Sequence, residues 1–346
     1  MTYQPQRPRR YALAVVLVGL SLLGNAIQAH AQHVGESWPS RLLRIPAMTS
    51  RGMPPVVTAV CLHRDGSLLA VAGDDHHVYL MDLNEEDRVR QLTGHTDWVR
   101  SVRFSPDGRM LASAGQDGRV ILWEPSSGKR IGVLEQHDLA ATELAWSHQG
   151  DLLAVADFAG QLRIYNVSRG SFVTQLEGPS ADLRAMVFAP DDRMIAVGGR
   201  SGTVRVWHRD DSYRAADYTP HSQRIRALAF SPDGRLLLSS GDDRKIHVRS
   251  LASGRGVDLP PRPAKVYALT FVAPRYLAAG GSDNLIRIWD LYSATEVGRL
   301  EGHQGSVATL DCNSDILVSG GYDTVVRVWT IKDRVAKLPG ETRGLK

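Results

Sequence analysis

The hydrophobic residues of this chain alternate with polar ones over short segments, and the alternation recurs in units of about 42 residues. One unit contains an alternating segment at 99–104, an apolar run at 110–113, a second alternating segment at 120–123 and a fourth segment at 130–134. A two-residue period predicts β-strands, because successive side chains of a strand point to opposite faces. Each unit is therefore predicted to form four short strands.

The segments between the predicted strands are rich in turn-forming residues. The sequence SPDGR occurs at 105–109 and again at 231–235, and each copy precedes an apolar run. Proline presets its own φ angle, and glycine adopts the positive φ angle that tight hairpin turns require. A second turn, Gly-Gln-Asp-Gly at 115–118, follows the apolar run. These turns predict that consecutive strands pair as antiparallel hairpins.

One residue near the end of the third predicted strand marks each unit. Successive markers are 42 residues apart four times and 40 residues apart twice, which predicts seven units. The markers are Met81, Trp123, Tyr165, Trp207, Arg249, Trp289 and Trp329. An open row of such sheets would expose unpaired strand edges, and closure into a ring limits that exposure. The chain is therefore predicted to be all-β, a seven-bladed β-propeller of four-stranded antiparallel blades.

The seventh unit lacks a fourth strand of its own, because the chain soon becomes polar after Trp329. Residues 41–46 align with residues 296–301, the fourth strand of the sixth unit. We therefore expect an N-terminal strand to complete the last blade and close the ring. The propeller is predicted at 41–333 and a polar tail at 334–346. Its repeats are predicted at about 52–92, 93–134, 135–176, 177–218, 219–259, 260–300 and 301–333.

The first 31 residues have the layout of a secretory signal. Three arginines between positions 7 and 10 precede an apolar run at 11–23, and an Ala-His-Ala triplet ends at Ala31. The run is shorter than the roughly 20 residues that span a bilayer as a helix. We expect cleavage after Ala31 and a linker at 32–40, with an uncleaved membrane anchor as the alternative. Either case predicts an exported protein, periplasmic or extracellular, of bacterial type.

Composition narrows the classes of partner. The formal charge is +4, and the predicted signal holds three basic and no acidic residues, so the remaining chain carries +1. A nearly neutral chain does not favour nucleic acid as the partner. The two cysteines, Cys61 and Cys312, exclude a disulfide framework and are interpreted as buried thiols.

The units resemble WD40 repeats. Gly94-His95 and Gly302-His303 match the GH dipeptide of that family, and Trp289-Asp290 matches its WD dipeptide. The resemblance covers residues 41–331 and implies a hydrogen-bonded structural tetrad of His, Ser or Thr, Asp and Trp within a blade. It implies complete tetrads in blades two and seven, and a set without tryptophan in blade five. These residues are His95, Ser113, Asp117 and Trp123; His303, Ser319, Asp323 and Trp329; and His221, Ser239 and Asp243, with Arg249 at the tryptophan position.

The other blades depart from the tetrad pattern. Asp75 and Asp283 keep the aspartate position in blades one and six, whereas blades three and four have Ala159 and Ser201 there. The recurrence of His, Ser and Asp indicates a structural role rather than catalysis. Buried polar groups need partners in every blade, while a catalytic site is normally single.

The sequence offers no catalytic constellation: we find no phosphate-binding glycine loop, no nucleophile elbow and no H-E-x-x-H motif. Glu143 is the one carboxylate among the positions predicted to line the channel, too few for a calcium site, so we expect a local polar contact or salt bridge. His76 and His77 point to opposite faces of a strand and cannot easily hold one ion. We expect no catalytic residue, no metal and no cofactor.

The resemblance also implies a partner-binding upper face, formed by the residue that opens each inner strand and the residue before each tetrad aspartate. There the sequence predicts exposed aromatic residues and a mostly basic sector in blades four to six, tempered by two acids. These residues are Trp98, Phe158 and Tyr322; Arg200, Arg224 and Lys265; and Asp182 and Asp242. Aromatic residues and arginine are enriched at binding hot spots, so we expect a protein partner with an acidic or extended segment.

The sequence therefore predicts a monomeric, non-catalytic interaction scaffold that binds protein and no nucleic acid. Membrane contact is expected only if the N-terminal segment stays uncleaved. Two alternatives remain open, because fold alone does not decide function. One is a propeller enzyme or ion- or ligand-binding protein of the hydrolase or lactonase kind. The other is a structural protein of envelope assembly.

Overall fold

The computed structural model describes residues 38–45, 53–85, 88–137 and 139–338. The predicted signal peptide at 1–31 lies outside the described residues. The same holds for most of the predicted linker and for the predicted tail from residue 339 onward.

The described residues form 28 β-strands in seven antiparallel sheets of four. Blade one contains β2 (Val57–Leu62), β3 (Leu68–Gly73), β4 (Val78–Asp82) and β5 (Val89–Leu92). Blade two contains β6 (Val99–Phe104), β7 (Leu111–Gly115), β8 (Arg119–Glu124) and β9 (Lys129–Gln136). Blade three contains β10 (Ala141–Trp146), β11 (Leu152–Asp157), β12 (Gln161–Asn166) and β13 (Ser171–Glu177).

Blades four to seven repeat the same order. Blade four contains β14 (Ala185–Phe188), β15 (Met194–Gly198), β16 (Val204–His208) and β17 (Arg214–Tyr218). Blade five contains β18 (Ile225–Phe230), β19 (Leu236–Gly241), β20 (Ile246–Ser250) and β21 (Gly256–Asp258). Blade six contains β22 (Val266–Ala273), β23 (Tyr276–Gly281), β24 (Ile286–Asp290) and β25 (Thr295–Leu300). Blade seven contains β26 (Val307–Cys312), β27 (Ile316–Gly321), β28 (Val325–Thr330) and β1 (Ser40–Arg44).

The first strand of each blade borders a central channel, and these seven inner strands close a ring. Each inner strand contacts the inner strands of the two neighbouring blades, and β26 contacts β2. The all-β fold predicted from the spacing of the units, a propeller of seven four-stranded blades, is confirmed.

The ring closes where the N-terminal strand joins the last blade, as predicted. Strand β1 pairs antiparallel with β28, from Ser40 opposite Trp329 to Arg44 opposite Val325. It begins one residue earlier than the predicted segment. Two further hydrogen bonds join blades one and seven across the seam: Leu62 N–H donates to Asp311 Oδ2 (2.8 Å), and Val60 N–H donates to Thr309 Oγ1 (3.2 Å).

The hydrophobic core lies between neighbouring blades. Leu69 and Val71 of blade one, for example, pack in one buried cluster with Val318 and Val326 of blade seven. Both faces of each sheet are therefore covered, which explains why the middle strands are apolar at nearly every position. Burial of this apolar surface supplies the main favourable free energy of folding.

The SPDGR turns join first and second strands. In blade two, Ser105 Oγ–H donates to Asp107 Oδ1 (2.6 Å), and Met110 N–H donates to Ser105 Oγ (3.0 Å). Gly108 has a φ of 74°, and a Cβ built there would lie 2.0 Å from His63 Nε2 of blade one. Glycine is required at this position both for its conformation and for the close packing of two blades.

The chain after β28 corrects the predicted polar tail at 334–346. A short helix, α1 (Lys332–Val335), follows, and Val335 and Leu338 are buried against a cluster that includes Trp329. These two apolar side chains cover the end of blade seven, so the propeller continues at least to residue 338. Within the described residues, no helix has the length and apolar character needed to cross a membrane.

Candidate interaction surface at the mouth of the channel

Blade two contains the tetrad geometry in full. Trp123 Nε1–H donates to Ser113 Oγ (2.8 Å), and Ser113 Oγ lies 2.8 Å from His95 Nε2. Because the indole can only donate, the serine proton goes to Nε2 and the histidine proton resides on Nδ1. His95 Nδ1–H then donates to Asp117 Oδ1 (3.0 Å). The aspartate also accepts from the backbone N–H of Thr96 (2.9 Å), so the network ties the interblade loop to the turn.

The same chain of hydrogen bonds recurs in blade seven. Trp329 Nε1–H donates to Ser319 Oγ (2.9 Å), which lies 2.7 Å from His303 Nε2, and His303 Nδ1 lies 2.9 Å from Asp323 Oδ2. Burial lowers the pKa of His303, although Asp323 opposes that shift. The buried imidazole is thus held in its neutral form.

Blade five carries the three-residue version. His221 Nε2 lies 2.8 Å from Ser239 Oγ, and His221 Nδ1 lies 2.9 Å from Asp243 Oδ1. Arg249, at the tryptophan position, instead stacks over the ring of Tyr218, with 4.1 Å between its Cζ and the ring centroid. Burial lowers the pKa of His221 as well.

Blade three holds a histidine–aspartate pair that the sequence reasoning missed. His137 Nδ1 lies 3.7 Å from Asp157 Oδ2, and both side chains are buried. Asp157 ends β11, two residues before Ala159, where the aspartate was sought. In blade two the corresponding residue is Gly115, where a Cβ would lie 2.7 Å from His95 Nδ1. A side chain at this position therefore reaches the histidine directly.

The aspartates of blades one and six have partners other than histidine. In blade one, the Tyr79 hydroxyl donates to Asp75 Oδ2. In blade six, Asp283 Oδ2 pairs with Arg287 Nη2 (2.6 Å), while Trp289 Nε1 is buried without a hydrogen-bond partner among the described residues. The tetrad is therefore one of several side-chain arrangements around the aspartate in the blades of this ring.

The residue that opens an inner strand and the residue before the tetrad aspartate lie side by side in six blades. In each pair, the second residue donates its backbone N–H to the carbonyl of the first at 2.8–3.2 Å. The bonded pairs are Val56 and Asp74, Trp98 and Gln116, Ala140 and Phe158, Arg224 and Asp242, Lys265 and Ser282, and Ser306 and Tyr322. We call the end of the ring that carries these pairs the upper face.

Blade four departs from this arrangement and corrects one expectation. Asp182 has a left-handed φ of 57°, and its carboxylate is 3% exposed. The carboxylate pairs with Arg184 and with Arg224 Nη2 (2.7 Å). Asp182 therefore turns inward to hold two arginines, and its buried carboxylate is not a contact surface for a partner.

The channel opens on the upper face as a cavity of about 570 Å³. Trp98 and Tyr322 line it, with exposed fractions of 43% and 55%. Arg100 Cζ lies 5.0 Å from the Trp98 ring centroid, and Arg226 Cζ lies 5.5 Å from that of Tyr267. Tyr267 in turn lies 6.5 Å from Tyr322, centroid to centroid. Aromatic rings and guanidinium groups thus lie side by side at the mouth, with Tyr267 and Tyr322 as neighbouring rings.

The arginines at the mouth differ in their polar partners. Arg226 forms two hydrogen bonds with Asp242 (2.9 and 3.0 Å). Arg100 bonds the neutral amide oxygen of Gln116, at 3.1 Å from Nε and 2.8 Å from Nη2. Burial, followed by the neighbouring charge of Arg184, lowers the pKa of Arg100. Arg100 is therefore the cation at the mouth that lacks a carboxylate partner in the described part of the chain.

Deeper in the channel, Glu143 is part of a small polar cluster. Glu143 Oε1 accepts from Ser101 Oγ–H (2.9 Å) and pairs with Arg103 Nη2 (3.0 Å). Burial raises the pKa of Glu143, and the charge of Arg103 opposes that shift. Among the described residues, no group of three or more His, Cys, Asp or Glu side chains is arranged to hold a metal ion.

The structure separates the predicted partner-binding residues into two groups. Trp98 and Tyr322 line the channel mouth, whereas the other predicted residues lie outside its lining. Phe158 is 43% exposed beside the mouth, where Arg184 Cζ lies 5.9 Å from its ring. Arg200, Arg224, Lys265 and Asp242 lie farther out on the upper face, with Arg200 exposed.

The predicted basic sector is largely neutralised within itself. Asp182 holds Arg184 and Arg224, and Asp242 holds Arg226 and, at 3.9 Å, Lys265. Sequence reasoning did not single out Arg100 or Tyr267. Their positions in the repeat could have indicated this site. Each is the second residue of an inner strand and stands two positions after a residue assigned to the upper face, Trp98 or Lys265.

These features define a class of protein, a seven-bladed propeller with histidine–serine–aspartate networks in several blades and an open upper face. The family profile "WD domain, G-beta repeat" matches residues 49–82, 86–124, 170–208, 214–250, 263–290 and 294–330. The matches cover more than half of the chain, which belongs to the WD40 repeat family. A second profile, "Anaphase-promoting complex subunit 4 WD40 domain", matches 126–182, around the blade with the displaced aspartate.

One curated relative is the "Mitochondrial division protein 1" of Mycosarcoma maydis. It is 36% identical to this chain over 74 residues. The matched segment covers 21% of this chain and 9% of that protein. The likeness is therefore confined to a fraction of the propeller.

Proposed function

We propose that this chain is a non-catalytic scaffold that binds a protein partner at the mouth of its channel. The observation that carries the proposal is the grouping of exposed aromatic rings with arginines at that mouth. WD40 propellers are generally scaffolds for protein interactions, and the family membership supports the same class of function.

The chemistry of the mouth suits a polypeptide. Trp98 and Tyr322 present large, partly exposed rings at the mouth, and Arg100 lies over the Trp98 ring. Tryptophan, tyrosine and arginine dominate binding energy at protein interfaces, because they bury much apolar area and still form hydrogen bonds. The cavity is also polar enough to hold an extended backbone.

The charge of the mouth favours an acidic segment in the partner. Its lining includes four arginines, Arg100, Arg103, Arg184 and Arg226, against the acids Asp74 and Glu143. A partner carboxylate would pair with Arg100 without breaking an existing ion pair. The exposed Arg200 would add long-range attraction that salt screens, whereas Arg224 and Lys265 are already offset by Asp182 and Asp242.

We also propose that the propeller acts in an exported compartment, periplasmic or extracellular. The support is the basic, apolar and small-residue layout of residues 1–31. Cell fractionation of the full chain and of a chain lacking residues 2–31 tests this. We expect the full chain outside the cytoplasm and the shortened chain inside it, and the same location for both would contradict the proposal.

A second candidate function, structural assembly, rests on the outer edges of blades two and three. Ile131 on β9 and Phe172 on β13 are each 55% exposed, and Val133 and Val173 lie near them in sequence. Exposed apolar residues on edge strands promote association between chains. Analytical ultracentrifugation decides this point, since assembly predicts oligomers that Phe172→Asp dissociates.

The test of the scaffold proposal is affinity capture with matched variants. The full chain, tagged at its C-terminus, is expressed in its own host beside two double variants. One is Trp98→Ala with Tyr322→Ala, and the control is Ile131→Ala with Phe172→Ala, which removes equally exposed apolar residues elsewhere. We expect a partner on wild type and control but not on the mouth variant. Equal capture by both folded variants would contradict the proposal.

A further inference from the structure

Blade six has replaced the tetrad by arginine. Pro263 and Ala279 occupy the positions that hold histidine and serine in blade seven. Trp289 remains, but its buried Nε1–H has no hydrogen-bond partner in the described residues. Arg262, next to the lost histidine position, stacks over the indole with its Cζ 5.0 Å from the ring centroid.

Among the described residues, Arg262 has no partner of opposite charge within ion-pairing distance. Its side chain belongs to a residue that is 8% exposed, and neither Nε nor Nη2 has a hydrogen-bond acceptor among the described residues. A buried cation without a partner carries a large desolvation cost. A bound anion that supplies the missing hydrogen-bond acceptors would lower this cost.

The acids whose charges act on Arg262 lie within ion-pairing distance of other arginines, although neither oxygen of Asp283 accepts a hydrogen bond among the described residues. Asp283 Oδ2 pairs with Arg287 Nη2 (2.6 Å), and Glu296 pairs with both Arg287 Nε (3.1 Å) and Arg299 Nη2 (2.7 Å). Three arginines thus meet two carboxylates in this part of blade six. Burial, followed by the charge of Arg287, lowers the pKa of Arg262 to about 10. It is therefore still cationic at neutral pH.

Arg262 lines a cavity of about 420 Å³ between blades five and six. Lys265 and Arg244 also line it, and so do Asp242 and Asp243. Asp243 is bonded to His221 and Asp242 to Arg226, so both carboxylates have partners inside the protein. The positive charge that remains for a ligand comes mainly from Arg262 and Arg244, because Lys265 lies 3.9 Å from Asp242 and Lys245, which also lines the cavity, pairs with Asp258 (2.8 Å).

We infer that this cavity binds a single carboxylate from an acidic segment of a protein partner, with Arg262 as its central ligand. Because Nε and Nη2 of Arg262 are buried, a carboxylate in the cavity would pair with the guanidinium group from its Nη1 side. The lining carboxylates Asp242 and Asp243 would repel the second charge of a phosphate dianion, which favours the monoanion. The inference rests on the proposed function for the nature of the partner.

The cavity and the channel mouth are linked through one residue. Asp242 Oδ1 lies 2.9 Å from Arg226 Nε at the mouth and 3.9 Å from Lys265 Nζ at the cavity. The two sites are therefore close enough at Asp242 that we expect one extended segment to contact both.

The test measures binding of a six-residue glutamate peptide to the full chain by calorimetry. Variants are Arg262→Gln, Arg262→Lys and the control Arg255→Gln, which removes the same charge from an exposed turn of blade five. We expect Arg262→Gln to weaken binding by about tenfold or more, Arg262→Lys to weaken it less, and Arg255→Gln to leave it unchanged. Inorganic phosphate should bind more weakly than the peptide.

A stability readout separates binding from packing. Because Arg262→Gln removes an unpaired buried charge, we expect it to raise the melting temperature of the ligand-free protein while it weakens peptide binding. Equal peptide affinity of wild type and Arg262→Gln would overturn the inference, as would tighter binding of phosphate than of the peptide. Partner capture that still depends on Trp98 and Tyr322 would then leave the proposed function standing. If partner capture no longer depended on Trp98 and Tyr322 while peptide binding still depended on Arg262, only the proposed function would be contradicted.

Discussion

Blades two and six have the same four strands, and each keeps its tryptophan at the same position, but their interiors differ. In blade two, Trp123 donates to Ser113, and the network continues through His95 to Asp117. In blade six, Trp289 lies under the guanidinium group of Arg262, and its Nε1–H has no hydrogen-bond partner in the part of the chain that the structure describes. The fold therefore does not depend on the polar network, since apolar alternation and turn chemistry build both blades.

The difference indicates that the blades contribute differently to rigidity and to binding. Where the network is complete, each buried polar group has a partner, and the loop and turn at the upper face are tied together. Where it is lost, a charged group remains buried without a partner, and a ligand can complete it. Blades two, five and seven are thus expected to contribute rigidity, and blade six a binding site.

The largest expected contrast comes from removing the aspartate in each blade. Asp117→Ala strands the donors of His95, Thr96 and Arg119, and should lower the free energy of unfolding by about 1–3 kcal/mol. Asp283→Ala should cost less, because Arg287 keeps its pair with Glu296. Urea unfolding measures both. An equal loss of unfolding free energy in the two variants would contradict the expected difference between blades two and six.

The pH dependence of stability should depend on the buried histidines of blades five and seven. Burial lowers the pKa of His221 and His303 from the ordinary value of 6.5. As the pH falls below 6.5, the unfolded chain takes up protons that the folded chain does not, so stability declines. Each histidine contributes up to about 1.4 kcal/mol per pH unit.

Urea unfolding at pH 7.5, 6.5 and 5.5 checks this dependence. His303→Gln should flatten the decline, because one of the two titrating groups is gone. Blade six has Pro263 at the corresponding position and contributes no such term. A decline of the same steepness in His303→Gln and wild type would show that the imidazole is not held neutral by its burial.

The two tryptophans provide a smaller test. Trp123→Phe removes a donor to Ser113 and leaves a buried hydroxyl with one partner fewer. Trp289→Phe removes an N–H group that has no partner. The two variants lose similar packing, so we expect Trp123→Phe to cost about 1 kcal/mol more in the free energy of unfolding. A larger cost for Trp289→Phe would mean that the stack with Arg262 stabilises the blade more than the network does.

The smallest expected effect concerns the turn after each aspartate. Thr324 in blade seven has a left-handed φ of 65°, which a β-branched residue adopts at a cost, whereas Asn284 in blade six has a similar φ of 67° that asparagine tolerates. Thr324→Gly should therefore stabilise the protein by about 0.5–1 kcal/mol, and Asn284→Gly by less. Thermal unfolding compares them, and destabilisation by Thr324→Gly would contradict the assignment of strain.

The spacing of the marker residues was sufficient to predict the blades and the closing strand, because strand period and turn chemistry are local properties. The pair of His137 with Asp157 was missed because the carboxylate comes from the end of a strand instead of the turn, and only three-dimensional proximity reveals it. The left-handed conformation that buries Asp182 is likewise set by its contacts with two arginines from different positions.

The candidate site was predicted only in part for the same reason. Residue type and position in the repeat were enough to assign Trp98 and Tyr322 to the upper face. The positive charge of the basic sector is neutralised by ion pairs, which depend on the acid that each arginine reaches in the folded chain. No local sequence pattern predicts those pairs. Arg262 lies outside the repeat positions that define the upper face, so its stack on Trp289 appears only in the folded chain.

Site-specific photo-cross-linking in the native host tests the central claim most directly. A photoreactive phenylalanine analogue replaces Tyr322 at the channel mouth in one strain and Phe172 at the outer edge in another, since both residues are 55% exposed aromatics. The account predicts a covalent adduct with a partner protein from position 322 and none from position 172. An adduct from position 172 alone, or from neither position in a folded protein, would contradict it.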